Sequence, residues 1–198
     1  MGMKIQNIRD HLRNFRVGIA GAGGLGSNCA VALARTGIGT LVIADYDVVE
    51  EGNLSRQYYF LNQIGLLKTE ALKDNISLIN KDVRVISHNL LISPGNIPEI
   101  FRECDVIVEA FDRKEMKEML IETVQNKMPG LPVVVASGLA GWGNCESIRC
   151  RKIDETLYVC GDETTEVSDD MPPLAPRVGV VANLQADTVL EILMKKEH

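Results

Sequence analysis

Gly21-Ala22-Gly23-Gly24-Leu25-Gly26-Ser27 decides the fold because of what stands on either side of it. Before it, Phe15 to Ala20 is an apolar run of strand length. After it, Asn28 to Arg35 is a helix-length run of small and aliphatic residues. A second apolar run, Thr40 to Ala44, ends in Asp45. Strand, glycine turn, helix and a second strand closing on an acid make the first half of a nucleotide-binding βαβ unit. The glycines at 21, 23, 24 and 26 let the backbone turn tightly and approach a ligand without Cβ clashes. A helix opening at Gly24 or Leu25 aims its free N–H groups and positive dipole end at phosphate. Asp45, 19 residues beyond Gly26, stands where a carboxylate would meet a ribose hydroxyl.

The turn alone serves dinucleotides and ATP equally. The residues behind it separate them: Asp45-Tyr-Asp47, then Asn53-Leu-Ser-Arg56-Gln57, then Gly65-Leu-Leu-Lys68. Hydride transfer has no use for two cations and an amide just past the second strand. An adenylating site does, because a triphosphate brings about four negative charges that must be held for attack at the α-phosphorus. On these residues the chain resembles the adenylation domain of the ubiquitin-activating superfamily, in its ThiF/MoeB branch and among its short ThiF-like members.

That resemblance implies Mg-ATP as cofactor and a ubiquitin-like, ThiS-like sulfur carrier as partner. The carrier's C-terminal glycine carboxylate would become an acyl-adenylate in thiamin biosynthesis, with release of pyrophosphate. Residue by residue, Gly21, Gly23, Gly24, Leu25 and Gly26 would cradle phosphate, and Asp45 would accept ribose hydroxyls with Asp47 beside it. Arg56 and Lys68 would hold phosphates, while Asn53 and Gln57 orient the nucleotide or the carboxylate. Asp112 would hold Mg²⁺ on the pyrophosphate side, since magnesium commonly takes one or two carboxylates plus substrate phosphates. Family members commonly carry a small polar residue after that aspartate, whereas here it is Arg113. The resemblance also implies a homodimer, in which Arg9 or Arg13 could reach the partner subunit's ATP.

Two departures narrow the expectation. Larger relatives carry zinc on two Cys-x-x-Cys pairs, and this chain has none, so no zinc site is expected. Relatives also often place a cysteine ahead of the final helix, where this chain reads Val167-Ser-Asp-Asp170. Adenylation without a thioester or persulfide step on that loop is therefore the expectation.

Working outward, Lys4 to Asn14 reads as a polar helix and Gln63 to Asn80 as a second crossover helix. Val83 to Leu90 is a strand, Pro94 to Phe101 a short helix, and Asp105 to Phe111 a buried strand stopping at Asp112. Lys114 to Lys127 is helical and Leu131 to Gly138 is a fifth apolar strand. The alternation predicts an α/β fold: a doubly wound, mostly parallel, Rossmann-like sheet with right-handed crossovers. Then Glu146–Ile153 and Thr156–Cys160, separated by Asp154-Glu155, predict an antiparallel hairpin. Asp162 to Pro176 reads as a long acidic, proline-rich loop and a candidate flap over the carrier tail. Arg177 to Lys196 is a closing helix. One domain over 1–198 is expected, with a nucleotide-binding core at 12–140 and an extension at 141–198.

The 198 residues suit one full-sized core. A net charge of −6 argues against nucleic-acid binding. No apolar run is long enough for a membrane span, and the polar start is no signal peptide. The Met-Gly start lacks the Ser/Thr of a myristoylation signal, since Gln6 stands there. Five scattered cysteines predict a reduced, cytoplasmic protein. His11, His88 and His198 fit no catalytic pairing, and Trp142 is expected to pack beside the fifth strand, with a carrier's tail running over it as the alternative. An NAD-dependent oxidoreductase remains the rival enzyme class, with a catalytically silent scaffold as a third reading. Activation of another carboxylate, in tRNA modification or molybdopterin synthesis, is the nearest variant of the leading one.

Overall fold

A computed structural model describes residues 4–196; the readings placed on Gly2 and His198 lie outside them. Helix α1 (Ile5–Leu12) leads into β1 (Arg16–Ala20), α2 (Gly24–Thr36) and β2 (Thr40–Asp45). Then come α3 (Lys68–Ile79), β3 (Arg84–Asn89), α4 (Ile97–Phe101), β4 (Val106–Glu109), α5 (Lys114–Lys127) and β5 (Val133–Ala136). The chain closes with β6 (Arg149–Lys152), β7 (Leu157–Gly161) and α6 (Ala175–Met194). The sheet order is β3-β2-β1-β4-β5-β7-β6. All neighbours are parallel except β6 with β7. The doubly wound sheet and its antiparallel hairpin therefore stand as read from the sequence.

The chain lays down β1, β2 and β3 outward, then returns to the other side of β1 for β4. The reversal lies at the carboxyl ends of β1 and β4, where open α/β sheets bind ligands. Both faces of the parallel strands are covered, so they are apolar at nearly every position. Val17, Ile19, Leu41, Ile43, Val106 and Val108 face α2, α3 and α6. Val42, Ala44, Ile107, Val133 and Val135 face α4 and α5, against Phe101 and Leu120. Alternate residues of one strand thus feed two cores.

Several boundaries differ from the periodic reading, each for a local reason. The crossover helix begins at Lys68, not Gln63. Gly65 takes φ +88°, and 65–68 pair instead with 47–49: Gly65 N–H with Val49 O, Val49 N–H with Leu66 O, Lys68 N–H with Asp47 O. Helix α4 begins at Ile97 because Asn96 Oδ1 turns back to accept the Ser93 N–H at 2.8 Å. Strand β4 stops at Glu109, short of Asp112. Helix α6 begins at Ala175, with Pro176 in its first turn, where a missing N–H costs nothing. Asp154 Oδ1 closes the hairpin by accepting the Thr156 and Leu157 N–H groups at 2.7 and 2.9 Å. No helix of the described residues is long and apolar enough to cross a membrane.

Candidate active site

The glycine turn is built so that only glycine fits at its pivots. Gly21 has φ +99°, and a Cβ on Gly26 would lie 1.8 Å from the Gly21 carbonyl oxygen. Gly23, by contrast, has open space: a Cβ there would meet only Gln57 Nε2, at 3.8 Å. Gly23 also N-caps α2 without a side-chain cap. The N–H groups of Gly24, Leu25 and Gly26 therefore have no partner within the helix. The helix start expected at Gly24 or Leu25 is at Gly24.

The segment after β2 is stitched onto this turn. Asp45 accepts the Ala22 N–H at 2.6 Å and the Asp47 N–H at 2.7 Å, which occupies two of the four or so acceptor sites of a carboxylate. Ser27 Oγ accepts the Tyr58 N–H at 3.0 Å, and Asn28 Nδ2 donates to the Arg56 carbonyl at 3.0 Å. The Tyr59 hydroxyl, 5 % exposed, donates to the Ala22 carbonyl at 2.7 Å. Burial, with Asp45 and Asp47 nearby, pushes that phenol far above its usual range, so it acts as a fixed donor.

These bonds set Arg56 and Gln57 over the turn. The Arg56 side chain passes Gly24, whose added Cβ would lie 3.5 Å from Arg56 Cγ. Its guanidinium makes only long contacts, 3.4 Å to Gly52 O and 3.3 Å to Ser55 Oγ, which exchange readily for an anion. Gln57 Oε1 is buried with no hydrogen-bond partner, an acceptor beside the open space at Gly23.

Lys68 occupies a different setting from the one its spacing suggests. Its side chain is 7 % exposed, and its ammonium lies 2.8 Å from Asp47 Oδ2. Asn53 Oδ1 accepts the Glu50 N–H at 3.1 Å and so closes the 3-10 turn Glu51–Ser55. Asp112 is exposed, one residue past Phe111, whose ring would meet a Cβ on Gly21 at 3.4 Å. The loops after β1 and β4 thus meet, and Asp112 stands at the same end of the sheet as Asp45. A lone exposed carboxylate suits a magnesium ion held mainly by substrate phosphates. Arg9 on α1 and Arg13 just past its end lie at the opposite end of the sheet: Arg13 pairs with Asp10, and Arg9 packs against Gly37 at the end of α2.

The geometry also shows groups that local pattern missed. Glu109 is fully buried at the end of β4. Its carboxylate receives Lys117 Nζ at 2.9 Å on each oxygen and the Phe111 N–H at 2.6 Å. Burial raises its pKa, against the pull of Lys117 and the backbone donors. The only cue was an acid inside an apolar run. Gln185 of α6 donates to the Glu109 and Val134 carbonyls at 2.8 and 3.2 Å, tying α6 across β4 and β5. Asp162 and Arg177 form a buried ion pair, 1 % and 5 % exposed. Trp142 does not pack beside β5 as expected but is 68 % exposed. The reason is backbone: Gly141, Gly143 and Asn144 all take positive φ and turn the tryptophan outward. The 162–174 segment is a loop, as read from the sequence, but one tied down at several points. Gly141 bridges to Pro173, and Ser168 and Met171 exchange backbone bonds at 3.2 Å.

A glycine turn at a helix N-terminus, an oriented acid, a cation and amide set over it, and a carboxylate in the loop after the neighbouring strand stand together at one end of the sheet. The family model described as "ThiF family" matches residues 4–198. The chain belongs to the ThiF family. Among curated relatives it is 31 % identical over 197 residues to "Adenylyltransferase and sulfurtransferase MOCS3" of Caenorhabditis briggsae, covering 93 % of this chain and 47 % of that one. The chain therefore spans under half the length of that relative. Among solved structures, E. coli MccB with ATP superposes with a TM-score of 0.72 at 25 % identity, covering 95 % of this chain and 58 % of that one. The E. coli tRNA N6-threonylcarbamoyladenosine dehydratase TcdA, in complex with ATP, shares the fold: TM-score 0.86, 20 % identity, 96 % of this chain and 89 % of that one. A ThiF-family chain whose curated relatives are adenylyltransferases leaves the oxidoreductase reading without support.

Proposed function

We propose that this ThiF-family protein adenylates the C-terminal carboxylate of a ubiquitin-like sulfur carrier of ThiS type, for thiamin biosynthesis. The observation that carries the reading is Arg56 and Gln57, anchored through Ser27, Asn28 and Tyr59 onto the capless N-terminus of α2. ATP would lie along that turn with its ribose at Asp45. The carrier carboxylate attacks the α-phosphorus, the bond to the β-phosphate oxygen breaks, and pyrophosphate leaves. A carboxylate is ionised at neutral pH, so this half-reaction asks for no protein nucleophile or base. Catalysis is then positioning and charge neutralisation. Arg56 supplies a planar fork to phosphate oxygens, the α2 amides a fixed positive field, and Gln57 an orienting amide. Lys68 would approach phosphate by turning away from Asp47, and Asp112 would hold Mg²⁺, which supplies further charge neutralisation when bound.

The choice of carrier rests on the resemblance of residues 17–68 alone. A tRNA-linked or molybdopterin-linked carboxylate is the second reading, left open by curated relatives that are adenylyltransferases and sulfurtransferases. ATP–pyrophosphate exchange measured with a ThiS-type carrier, a carrier of molybdopterin synthesis and no carrier decides between them. Exchange with the first alone supports the proposal, and exchange with the second alone replaces it. A homodimer belongs to the same proposal. Phe60, Leu61, Ile64 and Leu66, 52, 75, 45 and 47 % exposed, are an apolar surface for the second copy to cover. Leu61→Asp should then halve the mass seen in sedimentation equilibrium, and an unchanged mass places the interface elsewhere.

A further inference from the structure

The buried pair Asp162–Arg177 lies outside the nucleotide half of the crevice. Asp162 follows β7 directly, and Arg177 sits in the first turn of α6. One arm of the Arg177 fork donates to Asp162 Oδ2 and the other to the Gly143 carbonyl. Asp162 Oδ1 also accepts the N–H groups of Thr164 and Thr165, both at 2.8 Å. The Thr165 hydroxyl donates to Asp162 Oδ2 at 2.9 Å and accepts the Ala140 N–H at 3.2 Å. Backbone bonds complete the bracket: Asp162 N–H to Gly138 O at 3.1 Å, Glu163 N–H to Ser137 O at 2.9 Å, Gly141 N–H to Pro172 O at 2.9 Å. The approach is so close that a Cβ on Gly138 would lie 2.0 Å from Asp162 Oδ1. The segment 137–144 after β5 is thus fastened to the segment after β7 and to α6 as one body.

Two features mark this as more than packing. Burying two charges carries a desolvation cost that an apolar pair of the same volume avoids, and Arg177 Nε is buried with no partner at all. What the charged fork adds is geometry, because a planar guanidinium on two acceptors fixes the Gly143 carbonyl in place. The location is the second feature. Along the row of strand ends, β2 and β1 would take the nucleotide and the loop after β4 carries Asp112, which leaves β5 and β7 for the other substrate. Val178, next to Arg177, would lie 3.0 Å from a Cβ on Gly24, so the bracket also touches the phosphate end of α2. The outward-turned Trp142 stands on the held segment.

We propose that Asp162 and Arg177 are positioning residues for the carboxylate-bearing substrate: they hold 137–144 in the shape over which an extended peptide tail lies, and they take no part in holding ATP. This rests on the adenylation reading above. It predicts a division that a purely structural pair would not produce.

The test uses two variants that spare the fold. Arg177→Lys keeps the buried charge but cannot span both acceptors, and Thr165→Val removes the hydroxyl between Asp162 and Ala140. With the carrier that drives exchange in the parent protein, each should raise the carrier KM about tenfold or more, with the KM for ATP within about twofold of the parent. ATP affinity by calorimetry should be unchanged. Hydrogen exchange should quicken at the Ala140, Gly141, Thr164 and Thr165 amides and stay the same at Gly21 and Ala22. Equal rises in both KM values, or neither rising, overturns the proposal. So does amide exchange that quickens throughout or not at all. If no carrier is activated by the parent, the adenylation reading fails, while the exchange pattern still decides whether the pair holds this segment independently of the nucleotide turn.

Discussion

The two halves of the crevice are stiffened by different means. On the nucleotide side the rigidity is in the backbone: a glycine pivot that admits no Cβ, and side chains of Ser27, Asn28, Asp45 and Tyr59 bonded to main-chain groups. The groups proposed to meet a ligand, Arg56, Gln57 and Asp112, are left loosely engaged or exposed. On the β5–β7 side a charge pair is buried and consumed in holding two loops together. A side that binds a small polyanion needs free charges on a fixed frame. A side that receives a peptide needs a fixed surface and no competing charge.

The largest effect that would sharpen this contrast is on stability. Arg177→Met strands the Asp162 carboxylate, and breaking a buried pair from one side costs about 3–5 kcal/mol. Lys68→Met leaves Asp47, whose side chain is 45 % exposed, free to find water, so the loss should be nearer 1 kcal/mol. Urea unfolding of both variants reads the difference. Equal losses would mean that the two pairs do the same job. Next comes activity: Arg56→Ala should lower the ATP–pyrophosphate exchange rate about 10²–10³-fold, as removal of one donor to developing charge does elsewhere. Its melting temperature should stay near the parent's, because no buried bond is lost. A rate within threefold of the parent would take Arg56 out of the mechanism.

A smaller and more local effect comes from Gly23→Ala. Its methyl has open space in the protein but enters the volume beside the turn, so ATP affinity should fall about tenfold with the melting temperature unchanged. Gly26→Ala, with its methyl 1.8 Å from the Gly21 oxygen, should instead unfold the turn. If the two behave alike, the space beside Gly23 is not where phosphate lies.

Legibility followed the same division. Residues 17–68 could be read because their constraints are local: a turn that needs glycine, an acid at a strand end, cations at fixed spacing. Even there, spacing could not show that Lys68 is buried against Asp47 or that Asn53 closes a turn, since both depend on how 47–49 pair with 65–68. Glu109, Asp162, Arg177 and Gln185 escaped because their partners are set by tertiary packing, with Gln185 meeting a carbonyl 76 residues away. Trp142 was misplaced because hydrophobicity argues for burial, whereas the positive-φ residues on either side of it argue for exposure. The alternation of strands and helices was enough for the sheet, because parallel strands covered on both faces have little other way to pack.

The smallest predicted effect concerns the two buried carboxylates, whose pKa values move in opposite directions. Burial raises Glu109. Burial also pushes Asp162 upward, but the Thr165 and Thr164 amides, the Thr165 hydroxyl and Arg177 outweigh it and hold the carboxyl well below the usual range. The signs follow from linkage. Asp162, depressed in the folded state, contributes stability that is fully present above its unfolded pKa and is lost as pH falls below about 4. Glu109, raised in the folded state, binds its proton more readily folded than unfolded. It therefore adds stability as pH falls from neutrality towards about 4. The parent's stability should then fall more steeply with acid below about pH 4 than that of Asp162→Asn. Between neutrality and about pH 4, Glu109→Gln should lack the parent's gain. Unfolding free energies measured across that range separate the two terms. A Glu109→Gln curve parallel to the parent's would mean that Lys117 and the Phe111 N–H cancel its burial, and that the β4 end is as tightly compensated as the β7 end.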